Sequence, residues 1–266
     1  MQRVTSKQNP RLREAIALIA SSRDRRKAGK CVLEGEHLVS VYGERHGAPE
    51  TLVVTDAAMT HALVRRLVDR YDERTLIVSE PLLGTLATLP ASVGILAVVK
   101  TPRSILGTDG DFYLLLDEVQ DPGNVGSMLR SAAAAGVAQV LLSKRCAFAW
   151  SPKVLRAGQG AHFCVDIVEN VDLAAWAQRY RDGGGTVVAA VANGRNSLYA
   201  ASLAGRVALI IGNEGAGLSA ELAAQATLRL SIPMPGRIES LNAAAAAAVC
   251  LFECARQRSL IAGAIA

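Results

Sequence analysis

The segment Leu114 to Gly136, LLLDEVQDPGNVGSMLRSAAAAG, constrains the fold more than any other part of the chain, because it joins a buried strand, a turn and a helix without a break. Leu114-Leu115-Leu116 is a continuous apolar run, the pattern of a strand covered on both faces in a parallel sheet. Asp117 to Gly123 leaves the strand through turn residues, with Pro122 and Gly123 setting the path. The alanine-rich stretch that follows predicts a helix, with Asn124 as its cap and Gly136 as its stop. Arg130 falls inside that helix, close to the strand ends where open α/β sheets bind ligands.

Two further runs in the last quarter repeat the design. LIIGNEGAGL (Leu209 to Leu218) is a buried strand, a glycine-rich turn holding one acid, and a helix start. SIPMPGRIESLNAAAAAA (Ser231 to Ala248) is a short strand, a loop with two prolines and a glycine, and a polar Ser240-Leu241-Asn242 entry to a long helix.

In order and spacing these three runs resemble the TrmH/SpoU family of RNA ribose 2′-O-methyltransferases, of the SPOUT superfamily. N-x-G-x-x-x-R is met by Asn124, Gly126 and Arg130, G-N-E-G-x-G by Gly212 to Gly217, and I-P-M…E-S-L-N by Ile232 to Asn242. The resemblance extends from Phe112 to Arg258, with one departure: many relatives carry histidine or another side chain where Gly123 stands. It implies an α/β fold in two parts. Residues 1–104 would form a small, basic, ribosomal-protein-like α/β domain that binds substrate RNA, and 105–266 a parallel-sheet α/β methyltransferase domain ending in a trefoil knot. It also implies a homodimer, in which the basic domain of one subunit would present RNA to the other's catalytic loops.

By the same resemblance the cofactor is S-adenosylmethionine, with S-adenosylhomocysteine as product. It would be received by Ile211, Gly212, Gly215, Gly217, Ile232, Met234 and Leu241. Arg130 is the family's catalytic arginine, with Asn124, Glu214, Ser240 and Asn242 orienting it and the ribose. A guanidinium offers no lone pair near neutrality, so gripping a phosphate and stabilising a developing alkoxide suits Arg130 better than proton abstraction. Glycines at 215 and 217 allow a backbone to approach a ligand, or simply to turn. Glu214 can equally be read as a carboxylate near a helix start.

The charge supports an RNA partner. The net +5 lies entirely in Met1 to Arg103, which holds 16 Lys+Arg against 11 Asp+Glu, while the remainder balances. Arg23, Arg25, Arg26 and Lys27 form a run that suits phosphate, read here as a solvated connection after an amphipathic helix at Gln8 to Ala20. A basic stretch without a partner is the plain alternative. Lys153 and Arg156 in SPKVLRAGQG are further candidates for RNA phosphate, or for simple solvation. The front half otherwise alternates strands (CVLEG, TLVVT, TLIVS, GILAVVK) with helices, and Thr101 to Gly110 reads as a linker.

Other classes fit less well. The five cysteines show no C-x-x-C pair, so neither a disulfide framework nor a metal site is expected, and Cys250 and Cys254 read as buried thiols on one helix face. The apolar run Ala243 to Phe252 is too short to cross a bilayer and the N-terminus lacks a secretory core, which predicts a cytoplasmic protein without membrane contact. No G-x-G-x-x-G follows the first strand of a βαβ unit, which opposes a nicotinamide-dependent dehydrogenase. Transfer RNA as substrate in place of ribosomal RNA stays open, as does a catalytically silent RNA-binding or ribosome-assembly protein. The separate basic domain favours ribosomal RNA.

Overall fold

The computed structural model describes residues 1–86, 94–194 and 196–261, which form two compact units. The first contains Met1–Pro102 together with Trp150–Phe163, and the second Arg103–Ala149 with Cys164 onward.

The first unit runs β1 (Gln2–Arg3), α1 (Pro10–Ala20), α2 (Ser22–Ala28), β2 (Lys30–Glu34), α3 (Glu36–Arg45), β3 (Thr51–Thr55), α4 (Ala62–Arg70), β4 (Thr75–Val78), α5 (Glu80–Gly84) and β5 (Ile95–Lys100). Its sheet has the order β1-β4-β3-β5-β2, parallel from β1 to β3 and antiparallel across β3-β5 and β5-β2. Alternation sends Val32, Val53, Leu76, Leu96 and Val98 to one face, where Leu12, Ala15 and Leu18 of α1 cover them. The helix is amphipathic as expected, but Ala15 and Leu18 are its deepest residues besides Leu12, while Ile16 and Ile19 are only partly buried.

The basic run is not a connection. Ser21 accepts from the Asp24 amide and starts α2, and Gly29 ends it in a left-handed conformation (φ 61°). Arg25 therefore points inward and is only 6% exposed. Its Nη1 donates to the carbonyls of Leu18 (2.5 Å) and Ile19 (3.0 Å), which lack helical partners at the end of α1. Burial lowers its pKa from the ordinary arginine value. Arg25 thus leaves the set of phosphate-binding candidates for a structural reason. Arg23, Arg26 and Lys27 remain exposed.

The second unit contains β6 (Phe112–Leu116), α6 (Pro122–Ala134), β7 (Gln139–Leu142), β8 (Asp166–Val168), α8 (Leu173–Asp182), β9 (Thr186–Ala190), β10 (Asn196–Ser197), β11 (Val207–Ile211), α9 (Ala220–Gln225), β12 (Leu228–Ser231) and α10 (Ala243–Ile261). The intervening helix α7 (Pro152–Gly158) belongs to the first unit, where it packs on β2. The sheet order is β10-β12-β9-β11-β6-β7-β8, with every pairing parallel. This is an α/β fold with both sheet faces covered, which is why its strands read as unbroken apolar runs. One face centres on Trp176 and Tyr180 of α8, stacked at 4.9 Å against Tyr113, Leu115, Val187 and Ile210. Cys250 and Cys254 are buried in α10, and that burial pushes both thiols up to about 12.

Candidate functional site

A parallel sheet delivers all its strand C-termini to one side. Beyond the ends of three neighbouring strands, β12, β9 and β11, lies a cavity of about 450 Å³. Its walls are Ala190–Ala192 after β9, the turn after β11, the loop after β12, and the start of α10. Ile211, Gly212, Gly215, Gly217, Ile232, Met234 and Leu241 all line it, as do Glu214, Ser240 and Asn242. The charged side chains among the described lining residues are Glu214 and Glu239, with no lysine or arginine beside them. Apolar surface is also offered: Leu241 is 40% exposed at the wall.

The turn after β11 closes on itself. Asn213 and Gly217 exchange backbone hydrogen bonds, amide to carbonyl, at 2.9 and 3.0 Å. Asn213 Oδ1 accepts from the amides of Gly215 (3.0 Å) and Ala216 (2.9 Å), and its Nδ2 donates to the Glu118 carbonyl at 2.8 Å. This closure explains two glycines differently from the sequence expectation. A Cβ at Gly212 would lie 2.5 Å from the Gly217 carbonyl oxygen, so Gly212 is required by the turn's own packing. Gly217 has open space around it but a φ of +71°, so there the requirement is conformational.

The first motif is held from the same side. Asp117, 4% exposed at the end of β6, accepts from the Ser219 amide (2.9 Å) and hydroxyl (2.8 Å), fixing the start of α9. Glu118 follows with φ 57° and pairs with Arg145. The helix then starts earlier than expected. Asp121, not Asn124, is the cap, its Oδ1 accepting from the Asn124 amide at 2.7 Å, because Pro122 occupies the first helical position. Asn124 is consequently a residue of the first turn with its side chain available. It donates to Glu214 Oε1 at 2.6 Å and accepts from Asn242 Nδ2 at 3.0 Å, so one residue from each motif meets at this point.

Asn124 and Arg130 are not among the cavity-lining residues. Arg130 lies exposed on α6, and among the described residues it makes no hydrogen bond or ion pair. In the first unit, Lys153 and Arg156 are exposed on α7. Both α7 and α2 pack on the edge strand β2, so Arg23, Arg26 and Lys27 share that strand's surroundings with Lys153 and Arg156. Asp117 and Asn213 were not singled out in the sequence. Their signal is a polar residue at the exit of a buried strand, directly after β6 for Asp117 and one glycine beyond β11 for Asn213, where an unpaired side chain would be costly.

Comparison with known proteins adds to this geometry. The SpoU rRNA Methylase family matches residues 111–252. The chain is 31% identical to the 23S rRNA (guanosine(2553)-2′-O)-methyltransferase RlmP of Bacillus subtilis, over 95% of this chain and 98% of that protein. Among solved structures, the SpoU methyltransferase AviRb from Streptomyces viridochromogenes in complex with AdoMet superposes with a TM-score of 0.82 and 28% identity, covering 94% of this chain and 99% of that one. An AdoMet-bound rRNA methyltransferase from Sinorhizobium meliloti does so with 0.82 and 29%, covering 96% and 97%.

Proposed function

Because this chain belongs to the SpoU rRNA methylase family, we propose that it transfers a methyl group from S-adenosylmethionine to a ribose 2′-hydroxyl of RNA, with ribosomal RNA as substrate class and S-adenosylhomocysteine as product. The observation that carries the reading is the cavity at the strand ends. Among the described residues two carboxylates and no basic group line it beside apolar side chains and turn backbone, which suits a ligand of net positive charge that also carries a flat heterocycle. The same lining opposes a nicotinamide dinucleotide, whose pyrophosphate is anionic.

S-adenosylmethionine, when bound, supplies an activated methyl group on a positively charged sulfur. The Ile211–Gly217 turn, Ile232, Met234 and Leu241 would hold it. Arg130 has no partner of its own among the described residues, so its guanidinium is available to grip the phosphate next to the target ribose and stabilise the developing alkoxide. Lacking a lone pair, it leaves the proton to phosphate or water. Glu214, Ser240 and Asn242 orient the ribose from the cavity wall, and Asn124 joins them through its hydrogen bonds.

The finer organisation is proposed with it. Residues 1–104 act as the RNA-binding domain and 105–266 as the catalytic one, with the turn after β11 and the loop after β12 threaded as the family's trefoil knot. Trp150–Phe163 is the exception to that boundary, since it belongs to the first unit, and Lys153 and Arg156 are proposed to bind phosphate together with Arg23, Arg26 and Lys27. A homodimer is proposed with it, as the family resemblance implies. A cytoplasmic site of action suits the RNA substrate, and among the described residues no helix is long and apolar enough to cross a membrane.

The test is a map of 2′-O-methyl sites in total RNA from cells with and without the protein. A new site in ribosomal RNA is expected. A site in transfer RNA alone overturns the substrate class, and no new site in any RNA overturns the activity.

A further inference from the structure

The four residues directly after β7 form a tight turn, closed by the Cys146 amide on the Ser143 carbonyl at 3.2 Å. Its two corners are Lys144 and Arg145, both exposed. Each end of the turn is stitched to the loop that follows β6. The Ser143 amide donates to the Leu116 carbonyl at 3.0 Å, and Ser143 Oγ accepts from the Glu118 amide at 2.9 Å. Cys146 Sγ donates to the same Leu116 carbonyl at 3.1 Å, and the Ala147 amide donates to the Val119 carbonyl at 2.8 Å. Burial raises the pKa of Cys146, so its thiol stays a donor.

Glu118 also ties the turn to a wall of the cavity. Its carbonyl accepts from Asn213 Nδ2 at 2.8 Å, in the turn after β11, and its carboxylate pairs with Arg145. A residue other than glycine with φ 57° persists only where its surroundings fix it. The Arg145 side chain is nevertheless 71% exposed, and the pair engages one nitrogen of a guanidinium that carries five N–H donors. Lys144 makes no hydrogen bond or ion pair among the described residues. Two other acids of the neighbouring loops are occupied: Asp121 caps α6, and Glu169 accepts from the Ala149 amide at 2.9 Å.

Along the order β12-β9-β11-β6-β7 the carboxyl edge of the sheet therefore changes sign. The cavity with Glu214 and Glu239 lies beyond the first three strands, and two adjacent cations stand beyond the last. We propose that Lys144 and Arg145 are a phosphate-binding site of the second unit, which holds the backbone of the substrate RNA over the end of β7, beside the loop that leads into the helix of Arg130. A sulfonium is drawn to one side of this edge and a polyanion to the other. Because the turn is already fixed, binding has little backbone left to order. That the polyanion is a substrate rests on the methyltransferase reading, whereas the charge and its mount do not.

Binding of unmodified ribosomal RNA, transcribed in vitro, would be measured across a range of salt concentrations, with calorimetric titration of S-adenosylhomocysteine and thermal unfolding alongside. Lys144→Ala and Arg145→Ala should each weaken RNA binding severalfold and lower the slope of log affinity against log salt by about one, and the double variant should lower it by about two. Product binding should stay at the wild-type level in all three. Arg145→Lys keeps the charge, so it should keep the slope while recovering only part of the affinity. Arg179→Ala serves as the control, because Arg179 is exposed on α8, which runs from the carboxyl edge back towards the start of β9, and its loss removes the same charge. An equal fall for Arg179→Ala, or no fall for the turn variants, overturns the proposal. If Arg145→Ala does not fold, Lys144→Ala decides the matter, since its side chain holds nothing in place. A protein whose turn binds RNA in this way but which methylates no RNA keeps the site and loses the methyltransferase reading.

Discussion

The two units are built from the same alternation of strand and helix, yet one makes a cavity and the other a surface. In the second unit all pairings are parallel, so the ends of β12, β9 and β11 lie side by side and three loops distant in sequence converge beyond them. In the first unit β5 runs antiparallel to both neighbours, so strand ends are divided between two sides. Its exposed chemistry lies on α2 and α7 beside the edge strand β2. Strand direction thus separates a unit that can enclose a small ligand from one that can meet a polyanion along its flank.

The largest test of this division is Arg130→Ala. Arg130 lies outside the cavity lining, so its loss should leave binding of S-adenosylmethionine close to wild type. Single-turnover methyl transfer to saturating RNA should fall by ~10²–10³, the usual effect of removing one preorganised charge contact. Arg130→Lys should recover little, since a point charge does not reproduce the planar fork. Weak donor binding in a folded Arg130→Ala protein would instead place this residue in the cavity.

Next in size are the two glycines of the turn after β11. Gly212→Ala drives a Cβ into the Gly217 carbonyl, so the wall of the cavity must shift and donor affinity should drop about tenfold or more. Gly217→Ala strains a left-handed residue in open space, costing roughly 1–2 kcal/mol of stability. Asparagine tolerates that conformation, so Gly217→Asn should restore most of the loss while Gly212→Asn restores none. Titration and thermal unfolding of the four variants distinguish steric from conformational need. Equal rescue at both positions would refute the distinction.

In the first unit the contrast is between neighbours on one helix. Arg25→Ala removes the partners of the Leu18 and Ile19 carbonyls and should cost about 1–3 kcal/mol of stability. Lys27→Ala, at an exposed position, should leave stability within about 0.5 kcal/mol and weaken RNA binding. A Lys27→Ala protein that unfolds as easily as Arg25→Ala would mean that the run serves the fold alone.

This run also shows where the sequence stopped being legible. The strand, turn and helix of each motif could be read because buried parallel strands are unbroken apolar runs and glycine turns punctuate them. Six of the seven residues from Ser22 to Ala28 are charged or polar and the stretch carries no apolar period, so the helix it forms rests on a serine cap and a glycine stop, and the inward turn of Arg25 has no local signature. The start of α6 was misplaced because Asp121 and Asn124 are both good caps, and only Pro122 decides between them. Asn213 and Asp117 hold other loops in place through partners as much as 102 residues away, contacts that no window along the chain can register.

The smallest effects are expected on α7, and they bear directly on where the basic surface ends. Lys153 and Arg156 follow the first motif in sequence but belong with the first unit, on the helix that packs against β2. If phosphates cross this edge, replacing either residue by alanine should weaken RNA binding severalfold, leave donor titration unchanged, and reduce the slope of log affinity against log salt by about one. Neutralising Arg23 or Lys27 should lower the same slope by a similar step, because each contact releases its own counterions. Combining Lys153→Ala with Lys27→Ala should then reduce the slope by about two, provided both lie under one bound RNA. A combined loss no greater than that of Lys27→Ala alone would restrict the RNA surface to α2 and leave α7 as a solvated helix.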